Sequence, residues 1–597
     1  MTATYKAPLT DMRFALFDVL GAEAVFARLG FAEATRDIVD AVLEEAARFT
    51  ETVLAPLNRI GDTVGCSYDK ASGGVTTPPG FKQAYAQYVE GGWSGLVSPV
   101  EFGGQGLPHA VGVPLKEMID AANLAWGNFP LLSHGATEAL LQHGSDWQRE
   151  VFLGHLVDGS WTGTMCLTEP HCGTDLGLLK TRATANADDS YSISGSKIFI
   201  TAGEHDFTDN IVHLVLARLP DAPAGSKGIS MFIVPKMRIA RDGRLGESNG
   251  VRCGAIEHKM GIHGSATCAI NFEDAQGYLI GEPHKGLLAM FTMMNTARLA
   301  VGLQGLGLSD RAYQHALRYS RERLQMRSLS GPKFPEKPAD PIIVHPDVRR
   351  MLLTCKALIE GGRVMGYHGA SLVDIVEHSE DVDERVQAEA LLGFVTPIVK
   401  ACLTEWGVEC TYHALQCFGG HGYIADHGME QLARDARITT LYEGTTGIQA
   451  LDLMGRKIMQ QQGAGLRVFL GMIETFCNDN AGNESVAPFL APLRQKADQW
   501  QTLTMQVAQR ASGNADEIGA AAYDYLFFSG YVALAYWWAR SVAAAEASAQ
   551  SEAFKTAKRQ TAMFYFDRIL PRTLTHAAAI ASGMDSLMSL ETHHFDA

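Results

Sequence analysis

The sequence lacks the features that mark several large functional classes. Its net charge of −16 over 597 residues leaves no surplus of lysine and arginine, whereas a nucleic-acid surface needs clustered basic side chains. The ten cysteines include no C-x-x-C pair, so the sequence predicts neither a zinc site nor a disulfide framework, and we expect no metal. Unpaired thiols are typical of a reducing compartment.

Targeting and membrane signals are also missing. The first 21 residues lack the charged region, apolar core and small-residue cleavage site of a signal peptide. The longest uncharged apolar run, residues 525–539, has only 15 residues and contains Ser529 and Gly530. Because a bilayer-spanning helix needs about 20 apolar residues, we expect a buried helix there. We expect no integral membrane segment and a cytoplasmic protein.

Neither common nucleotide-binding loop is present. Residues 102–108 (FGGQGLP) are rich in glycine but have neither the Walker lysine nor the G-x-G-x-x-G spacing. Strand-like segments follow one another without intervening helices, so no βαβ unit and no Rossmann site is predicted.

Length and composition instead predict a globular enzyme of several domains, since 46% of the residues are hydrophobic and 19% are charged. The hydrophobic period is helical before residue 160, close to two up to about residue 281, and helical again afterwards. We predict a mainly α protein with a central β-barrel domain. The predicted domains are an N-terminal helical domain (1–160), a β-barrel domain (161–285), a C-terminal four-helix bundle (286–462) and an additional helical domain (463–597).

Four segments of the β region are rich in β-branched and aromatic residues: 190–201, 211–217, 228–235 and 269–272. They predict a small antiparallel barrel or sandwich. Five prolines between residues 332 and 346 exclude a helix there and predict a loop. The alanine-rich residues 466–597 are helix-compatible, and we expect them to serve packing or oligomerisation.

One carboxylate, Glu443, stands in residues 441–450 (LYEGTTGIQA) just before a helix-like run. The residues on its N-terminal side are apolar: Ile438, Leu441 and Tyr442. Such neighbours would exclude water and raise the pKa of Glu443 towards the working pH, as a general base requires. Gly444 permits close approach to a ligand, and Thr445 or Thr446 can cap the helix. The alternative is an acidic residue that only complements the positive end of a helix dipole.

Three further stretches carry ligand-binding chemistry. Residues 165–175 (MCLTEPHCGTD) combine hydroxyls and loop amides that can bond a planar heteroaromatic ligand and a carbonyl. Phe199 and Thr201, two apart in KIFITAG, would share one face of a strand. The glycines of residues 416–423 (QCFGGHGY) permit close backbone approach.

In this order, and with ARLAVGLQGLGL (297–308) between them, these motifs resemble the acyl-CoA dehydrogenase family over roughly residues 35–460. The N-terminal YKAPLTDMRF, the YEGTTGIQ form and the extra C-terminal module are similar to a bacterial branch. That branch contains 3-(methylthio)propanoyl-CoA and fatty acyl-CoA dehydrogenases. The resemblance implies FAD, a helical, β-barrel and helical-bundle architecture, and α,β-desaturation of an acyl-CoA thioester.

The resemblance also implies roles for individual residues. Glu443 would remove the α-proton while a hydride passes to the flavin, and its backbone N–H would polarise the thioester carbonyl. The implied FAD-binding residues are Met165, Leu167, Thr168, Phe199, Ile200, Thr201, Arg323, Gln416, Gly419, Gly420 and Thr445. The implied substrate-binding residues are Thr174, Arg298, Tyr442 and Gly444. Arg323, Gln416, Gly419 and Gly420 would reach the FAD of a neighbouring subunit, which implies a homo-oligomer, with a dimer favoured.

Several positions depart from the common family pattern. Phe199 replaces a frequent tryptophan and keeps an aromatic face, and Thr174 replaces a frequent serine and keeps the hydroxyl. Asn295 stands where an aspartate often precedes Arg298, and Gly447 replaces a common glutamine. The histidines His171, His263 and His421 are interpreted as loop donors or core residues, because none has a partner at metal-ligand spacing.

Three functions remain open on these residues. The first is a dehydrogenase that passes electrons to an electron-transfer flavoprotein. The second is an acyl-CoA oxidase that uses the same base and flavin but reduces oxygen. The third is a non-catalytic flavin-binding protein of the same fold. The length and identity of the acyl chain are not predicted by any side chain.

Overall fold

The computed structural model describes residues 5–240 and 242–597, which are mainly helical around a central sheet. The α-helices of the first half are α1 (Leu9–Arg13), α2 (Ala22–Arg28), α3 (Arg36–Phe49), α4 (Ala55–Val64), α5 (Phe81–Glu90), α6 (His109–His143), α7 (Asp146–Gln148) and α8 (Gly154–Val157). Those of the second half are α9 (Gly286–Glu322), α10 (Pro346–His378), α11 (Val382–Cys417), α12 (Met429–Thr439), α13 (Thr446–Leu451), α14 (Ala464–Asp479), α15 (Ala487–Ala511), α16 (Asp516–Ala547), α17 (Glu552–Phe564), α18 (Thr573–Ser582) and α19 (Asp585–Met588).

The β-strands are β1 (Ser67–Tyr68), β2 (Val75–Thr76), β3 (Trp161–Cys166), β4 (Arg182–Ala185), β5 (Tyr191–Thr201), β6 (Asn210–Arg218), β7 (Ile229–Pro235), β8 (Met237–Ile239), β9 (Leu245–Ser248), β10 (Val251–Ile256) and β11 (Thr267–Ile280). The chain forms two compact units. The helical unit comprises residues 1–47, 108–121 and 301–597, and the sheet-containing unit comprises residues 48–107 and 122–300.

The sheet-containing unit closes five strands into a hydrogen-bonded ring. β11 pairs with β5, β5 with β4, β4 with β6, β6 with β7, and β7 returns to β11. β10 extends the ring at β11, and β3 extends it at β6. The predicted barrel is therefore confirmed, because every strand of the ring has two paired neighbours and the ring has no free edge.

The prediction that this barrel is antiparallel is wrong for part of it. β3 runs parallel to β6, and β4 meets β6 in parallel at one residue pair. Two parallel strands need a crossover connection. Between β3 and β6 this connection contains the β4–β5 hairpin. The four predicted segments are all strands, whereas β3, β4 and β10 were not predicted from the sequence.

The core of this unit is a single apolar cluster. Phe152 and Trp161 pack with Leu214, Met231 and Met293 from the barrel and the adjacent helices, and all five side chains are buried. Strand β6 is buried on both faces for most of its length, which explains its continuous run of apolar residues.

In the helical unit, α10 and α11 are neighbouring long helices, and α16 packs against both of them and against α13. The apolar run 525–539 lies within α16, where Phe528, Trp537 and Trp538 are almost wholly buried. The predicted buried helix is therefore confirmed. The proline-rich insert contains no α-helix, as predicted.

Three helices of the described chain are long and apolar enough to cross a membrane by length and composition alone: α9, α11 and α16. Of the most apolar stretch of each, 50%, 67% and 72% respectively is buried inside the protein. The absence of an integral membrane segment stays a prediction.

A cluster of buried charges ties the N-terminal segment into the helical unit. The Arg363 guanidinium donates to Glu117 at 2.6 Å and to Asp11, and lies 3.5 Å from Asp310. Lys558 of α17 donates to Glu360 at 2.8 Å and also to Asp11. Both cations have a carboxylate within hydrogen-bonding reach, which buried ionic groups require.

Candidate active site

The predicted base lies in the helical unit, in the turn between α12 and α13. Helix α12 ends at Thr439, and the Thr445 hydroxyl accepts a hydrogen bond from the Ile448 N–H at 3.3 Å, so Thr445 caps α13. Thr446 has another role, since its hydroxyl donates to Glu405 of α11 at 2.5 Å. The turn is therefore fixed at its end by both threonines.

The backbone of this turn is strained at the carboxylate itself. Glu443 has φ +57°, and Gly444 follows with φ +91°. The left-handed region costs a non-glycine residue about 1–2 kcal/mol, and such outliers persist only where their surroundings hold them. A Cβ at Gly444 would lie 2.7 Å from Nε2 of Gln449 and would displace that side chain, and any other residue at this φ would be strained.

Two buried side chains hold the strained turn. Gln449 Nε2 donates to the Glu443 carbonyl at 3.0 Å, and Lys400 Nζ donates to the Gly444 carbonyl at 2.8 Å. Lys400 and Gln449 are both wholly buried. The sequence analysis did not single out either residue. The available signal was that Lys400 is the only charged residue between Glu389 and Glu405 in an apolar helix.

The apolar surroundings predicted for Glu443 are only partly present. Glu443, Ile438 and Tyr442 are half-buried, but Leu441 is 44% exposed. Tyr442 donates a hydrogen bond to Gln304 of α9. Burial raises the pKa of Tyr442, and the charges of Asp120 and Glu443 raise it further, so the phenol remains protonated.

Asp120 is a second acidic group near this turn. Burial raises its pKa to about 6, although an ion pair with Lys116 opposes the shift. Its charge adds to the negative potential around Tyr442. A negative neighbourhood favours the protonated form of any further carboxyl group.

The predicted ring-binding residues lie in the sheet-containing unit, where the structure brings two motifs together. The Ile198 N–H donates to the Thr168 carbonyl at 2.9 Å, and Lys197 Nζ donates to the Leu167 carbonyl at 2.9 Å. The loop after β3 is thereby fixed beside β5. Met165 and Thr168 are half-buried and Leu167 is buried.

A buried ion pair stabilises this junction. Lys197 Nζ lies 2.9 Å from Oε1 of Glu169, which also accepts from the Thr181 N–H and hydroxyl, while Oε2 accepts from the Lys180 N–H at 2.8 Å. Burial alone would raise the pKa of Glu169, but the Lys197 charge and these hydrogen bonds outweigh it and lower the pKa to about 2. Burial lowers the pKa of Lys197, and Glu169 opposes that shift.

Phe199 presents an open aromatic face. The register of β5 and β11 shifts between Lys197 and Ile200, and in this bulge Phe199 has φ +59° and is 59% exposed. Ile200 is buried, whereas Thr201 is half-buried, so both Phe199 and Thr201 are accessible. Their predicted position on one strand face stays a prediction, because the bulge at Phe199 interrupts the alternation of side chains. Thr174 lies exposed in the loop after Glu169, and Arg298 of α9 is buried, at 5% exposed.

The four residues predicted to reach a neighbouring subunit share one exposed region of the helical unit. The Tyr319 ring stacks on Phe418 at 4.1 Å, and its hydroxyl bonds Nδ1 of His421 at 2.8 Å, so the ends of α9 and α11 are joined. The four predicted residues are all exposed: Arg323, Gln416, Gly419 and Gly420. Nothing lies within 4 Å of a Cβ placed on either glycine.

One group of potential metal ligands occurs in the described chain. Glu169, His171 and Cys172 bring one ligand atom each within 4.8 Å of one another. Both carboxylate oxygens of Glu169 are already bonded, and Nε2 of His171 bonds the Leu178 carbonyl at 3.0 Å. The absence of a metal stays a prediction. All ten cysteines are free thiols.

Four family models match consecutive parts of the chain. Three are described as acyl-CoA dehydrogenase domains: the N-terminal domain at residues 39–160, the middle domain at 164–275 and the C-terminal domain at 284–459. The fourth, acetyl-CoA dehydrogenase C-terminal like, matches residues 469–591. The chain belongs to the acyl-CoA dehydrogenase family.

Relatives of this acyl-CoA dehydrogenase extend the likeness over its whole length. It is 40% identical to the 3-methylmercaptopropionyl-CoA dehydrogenase of Ruegeria pomeroyi, over 98% of this chain and 99% of that protein. It is 32% identical to the broad-specificity linear acyl-CoA dehydrogenase FadE5 of Mycobacterium tuberculosis, over 99% and 100% of the two chains. The predicted family and its bacterial branch are confirmed.

A solved structure supports the fold of this acyl-CoA dehydrogenase. The structure of Caenorhabditis elegans ACDH-11 in complex with C11-CoA matches with a TM-score of 0.78, over 95% of this chain and 91% of that one. At 19% identity this likeness shows a shared fold. The site roles assigned to individual residues stay predictions.

Proposed function

We propose that the protein is an FAD-dependent acyl-CoA dehydrogenase in which Glu443 removes the α-proton of the thioester. The observation that carries this role is the strained turn at Glu443, where buried side chains hold an acidic residue in the left-handed region. A pure helix cap would need no such conformation, because Thr445 already caps α13.

The residues predicted for FAD suit a flavin chemically. Phe199 offers an exposed aromatic face, the half-buried Thr168 and Thr201 carry hydroxyls, and Gly419 and Gly420 leave open space for a backbone contact. When bound, FAD supplies the acceptor for the β-hydride.

The remaining chemistry belongs to the chain itself. An α-proton next to a thioester is too weak an acid for an unaided carboxylate. In the proposed mechanism the Glu443 backbone N–H donates to the thioester oxygen and stabilises the negative charge that develops there. The acyl chain displaces water from the half-buried Glu443, which raises its proton affinity, and its carboxylate then takes the proton.

We further propose a short or medium linear acyl-CoA, including 3-(methylthio)propanoyl-CoA, as the substrate. Two relatives that cover the whole chain support a linear acyl chain, because one is named for the methylthio substrate and the other for linear acyl-CoAs. Such a reaction belongs to fatty acid β-oxidation or to the equivalent step for a methylthio acid.

The proposed electron acceptor is an electron-transfer flavoprotein, with oxygen as the alternative. A homodimer is proposed because Arg323, Gln416, Gly419 and Gly420 are all exposed on one unit. Ten free thiols support a cytoplasmic location.

The test is anaerobic flavin reduction by acyl-CoA in wild type and Glu443→Gln. The variant keeps the side-chain shape but cannot accept the proton, so we expect flavin bleaching about 100- to 10,000-fold slower with unchanged FAD content. Glu474→Gln, exposed on α14, is the matched control and should react like wild type. Wild-type bleaching by Glu443→Gln would contradict the assignment of the base.

The same assay with a panel of acyl-CoA thioesters shows which acyl chain reduces the flavin fastest. We expect the fastest bleaching with butanoyl-CoA, hexanoyl-CoA or 3-(methylthio)propanoyl-CoA, and slower reduction by palmitoyl-CoA. If palmitoyl-CoA were fastest, the proposed chain length would be wrong. Peroxide formation in air at the rate of turnover would assign the oxidase function instead.

A further inference from the structure

The two peptide groups that follow Glu443 are each held by a buried side chain. The carbonyl of Glu443 accepts from Nε2 of Gln449 at 3.0 Å, and the carbonyl of Gly444 accepts from Nζ of Lys400 at 2.8 Å. The orientation of these peptide planes determines ψ at Glu443 and at Gly444. Both left-handed residues of the turn are therefore constrained from outside it.

The donors come from two different elements of the helical unit. Lys400 lies in the middle of α11, and Gln449 lies in α13, directly after the turn. Both side chains are wholly buried. Gln449 also fills the space beside Gly444, where its Nε2 would lie 2.7 Å from an added Cβ. The turn is therefore packed as well as hydrogen-bonded.

Burying a lysine costs free energy unless a hydrogen-bond acceptor or an opposite charge compensates for the lost hydration of its ammonium group. The α11 segment around Lys400 is largely apolar, since Val395, Ile398, Val399, Cys402 and Leu403 are all buried, and it has no other charged side chain between Glu389 and Glu405. The hydrogen bond to the Gly444 carbonyl is a reason for a lysine at this position.

We propose that Lys400 is a positioning residue for the catalytic base, with Gln449 as its second support. This inference rests on the proposed role of Glu443. Together the two donors hold the turn in its left-handed conformation, and that conformation places the Glu443 carboxylate for removal of the α-proton. A displacement of about 1 Å in such a group can cost about 100-fold in rate.

The experiment compares Lys400→Met with wild type under single turnover. Methionine has nearly the same length and no donor. We expect flavin reduction to slow about 10- to 100-fold, with the substrate concentration that gives half-maximal reduction within about threefold of wild type. We also expect the isotope effect of an α-deuterated acyl-CoA to rise, because proton removal becomes more strongly rate-limiting. Lys400→Arg keeps a cationic donor and should recover part of the rate.

Lys558→Met is the matched control for the loss of a buried lysine. Lys558 is 3% exposed in the same unit but pairs with Asp11 and Glu360. The Lys558→Met variant should be less thermally stable than wild type but should keep the wild-type rate of flavin reduction and the wild-type isotope effect. If Lys400→Met reduced its flavin within twofold of this control, the positioning role would be excluded.

The Gln449→Met variant is a second, independent test of the proposal, and it can be used if Lys400→Met does not fold. It removes the donor to the Glu443 carbonyl at similar volume, and we expect a loss of rate in the same range. A wild-type rate in this variant would overturn the proposal for the pair. Failure of the base assignment is recognised separately, because Glu443→Gln would then remain active. If Glu443→Gln were inactive while Lys400→Met and Gln449→Met reacted at the wild-type rate, the base assignment would stand. Only the positioning role of Lys400 and Gln449 would then be refuted.

Discussion

At the scale of single residues, buried ionisable groups determine how rigidly the predicted flavin-binding motifs are held. Glu169 and Lys197 join the loop after β3 to β5, and both are almost wholly buried. A pair of this kind adds little net stability compared with two apolar residues, but removal of one partner leaves an uncompensated buried charge. The structure therefore predicts a large effect of single substitutions here.

Glu169→Gln should lower the free energy of unfolding by about 3–5 kcal/mol at pH 7, since Lys197 loses its counter-charge. The folded pKa of Glu169, about 2, lies below the ordinary value of 4.5. Ionised Glu169 therefore contributes fully to the free energy of unfolding above pH 4.5. In wild type this contribution, about 3 kcal/mol, is lost as the pH falls towards 2, which we call the acid loss. Denaturant titrations at pH 7, 5 and 3 measure the effect of the substitution and about 2 kcal/mol of the acid loss, because pH 3 still lies above the folded pKa.

Glu247→Gln, exposed on β9, is the control for this substitution and should follow wild type at each pH. An equal acid loss in wild type and Glu169→Gln would show that other groups dominate.

At the scale of elements, the proline-rich insert is ordered by one buried carboxylate. Asp340 accepts from the backbone N–H groups of Ser328, Lys333 and Phe334 and pairs with Arg327. Burial alone would raise the pKa of Asp340, but these N–H donors and Arg327 outweigh it and lower the pKa. The prolines predicted a loop, but they did not indicate that one carboxylate, Asp340, would bind several of the loop's backbone N–H groups.

Asp340→Ala should release this loop while the helical unit stays folded. Three backbone donors would lose their acceptor, and the local loss is about 1–3 kcal/mol. Limited trypsin digestion should cut several-fold faster after Arg327 and Lys333, with little change in the thermal midpoint. Glu336→Gln in the exposed part of the same loop should digest like wild type. Unchanged digestion of Asp340→Ala would show that the prolines alone order the loop.

At the scale of the whole molecule, the buried charge cluster links distant parts of the sequence within the helical unit. It contains three cations and four carboxylates: Lys356, Arg363, Lys558, Asp11, Glu117, Asp310 and Glu360. Since the carboxylates outnumber the cations, one of them should retain a proton. Burial raises the pKa of Asp310 to about 7, and Glu117 and Asp11 add to the shift although Arg363 opposes it.

Asp310→Asn should flatten the pH dependence of stability. The folded pKa of Asp310, about 7, lies above its ordinary value of 3.8, so ionisation makes the folded state progressively less stable between pH 4 and 7. From pH 5 to pH 8 this group should cost wild type about 2–3 kcal/mol. The variant should avoid that loss, as measured by denaturant unfolding at both pH values.

Asp479→Asn, exposed on α14, should retain the wild-type pH dependence. If Asp310→Asn showed the same loss between pH 5 and pH 8 as wild type, the retained proton would have to lie on another carboxylate.

Local patterns were sufficient for the long helices, the barrel and the family. Helix-compatible apolar runs predicted the helical bundle after residue 285 and the buried helix at residues 525–539, which lies within α16. Strands β3 and β4 were missed because β3 is short and buried and β4 has little alternation, so neither shows a clear period of two. The parallel pairing of β3 with β6 depends on chain path, which local pattern does not encode.

The sequence by itself determined the fold class, the family and Glu443 as the candidate base, since each depends on residue types at fixed local spacing. Only the tertiary structure revealed the left-handed turn at Glu443 and the two donors that hold it. Lys400 lies 43 positions before Glu443 in the chain, and nothing local marks the pair as neighbours. They meet because packing places the middle of α11 against the turn before α13, where the buried ammonium finds the Gly444 carbonyl as its acceptor.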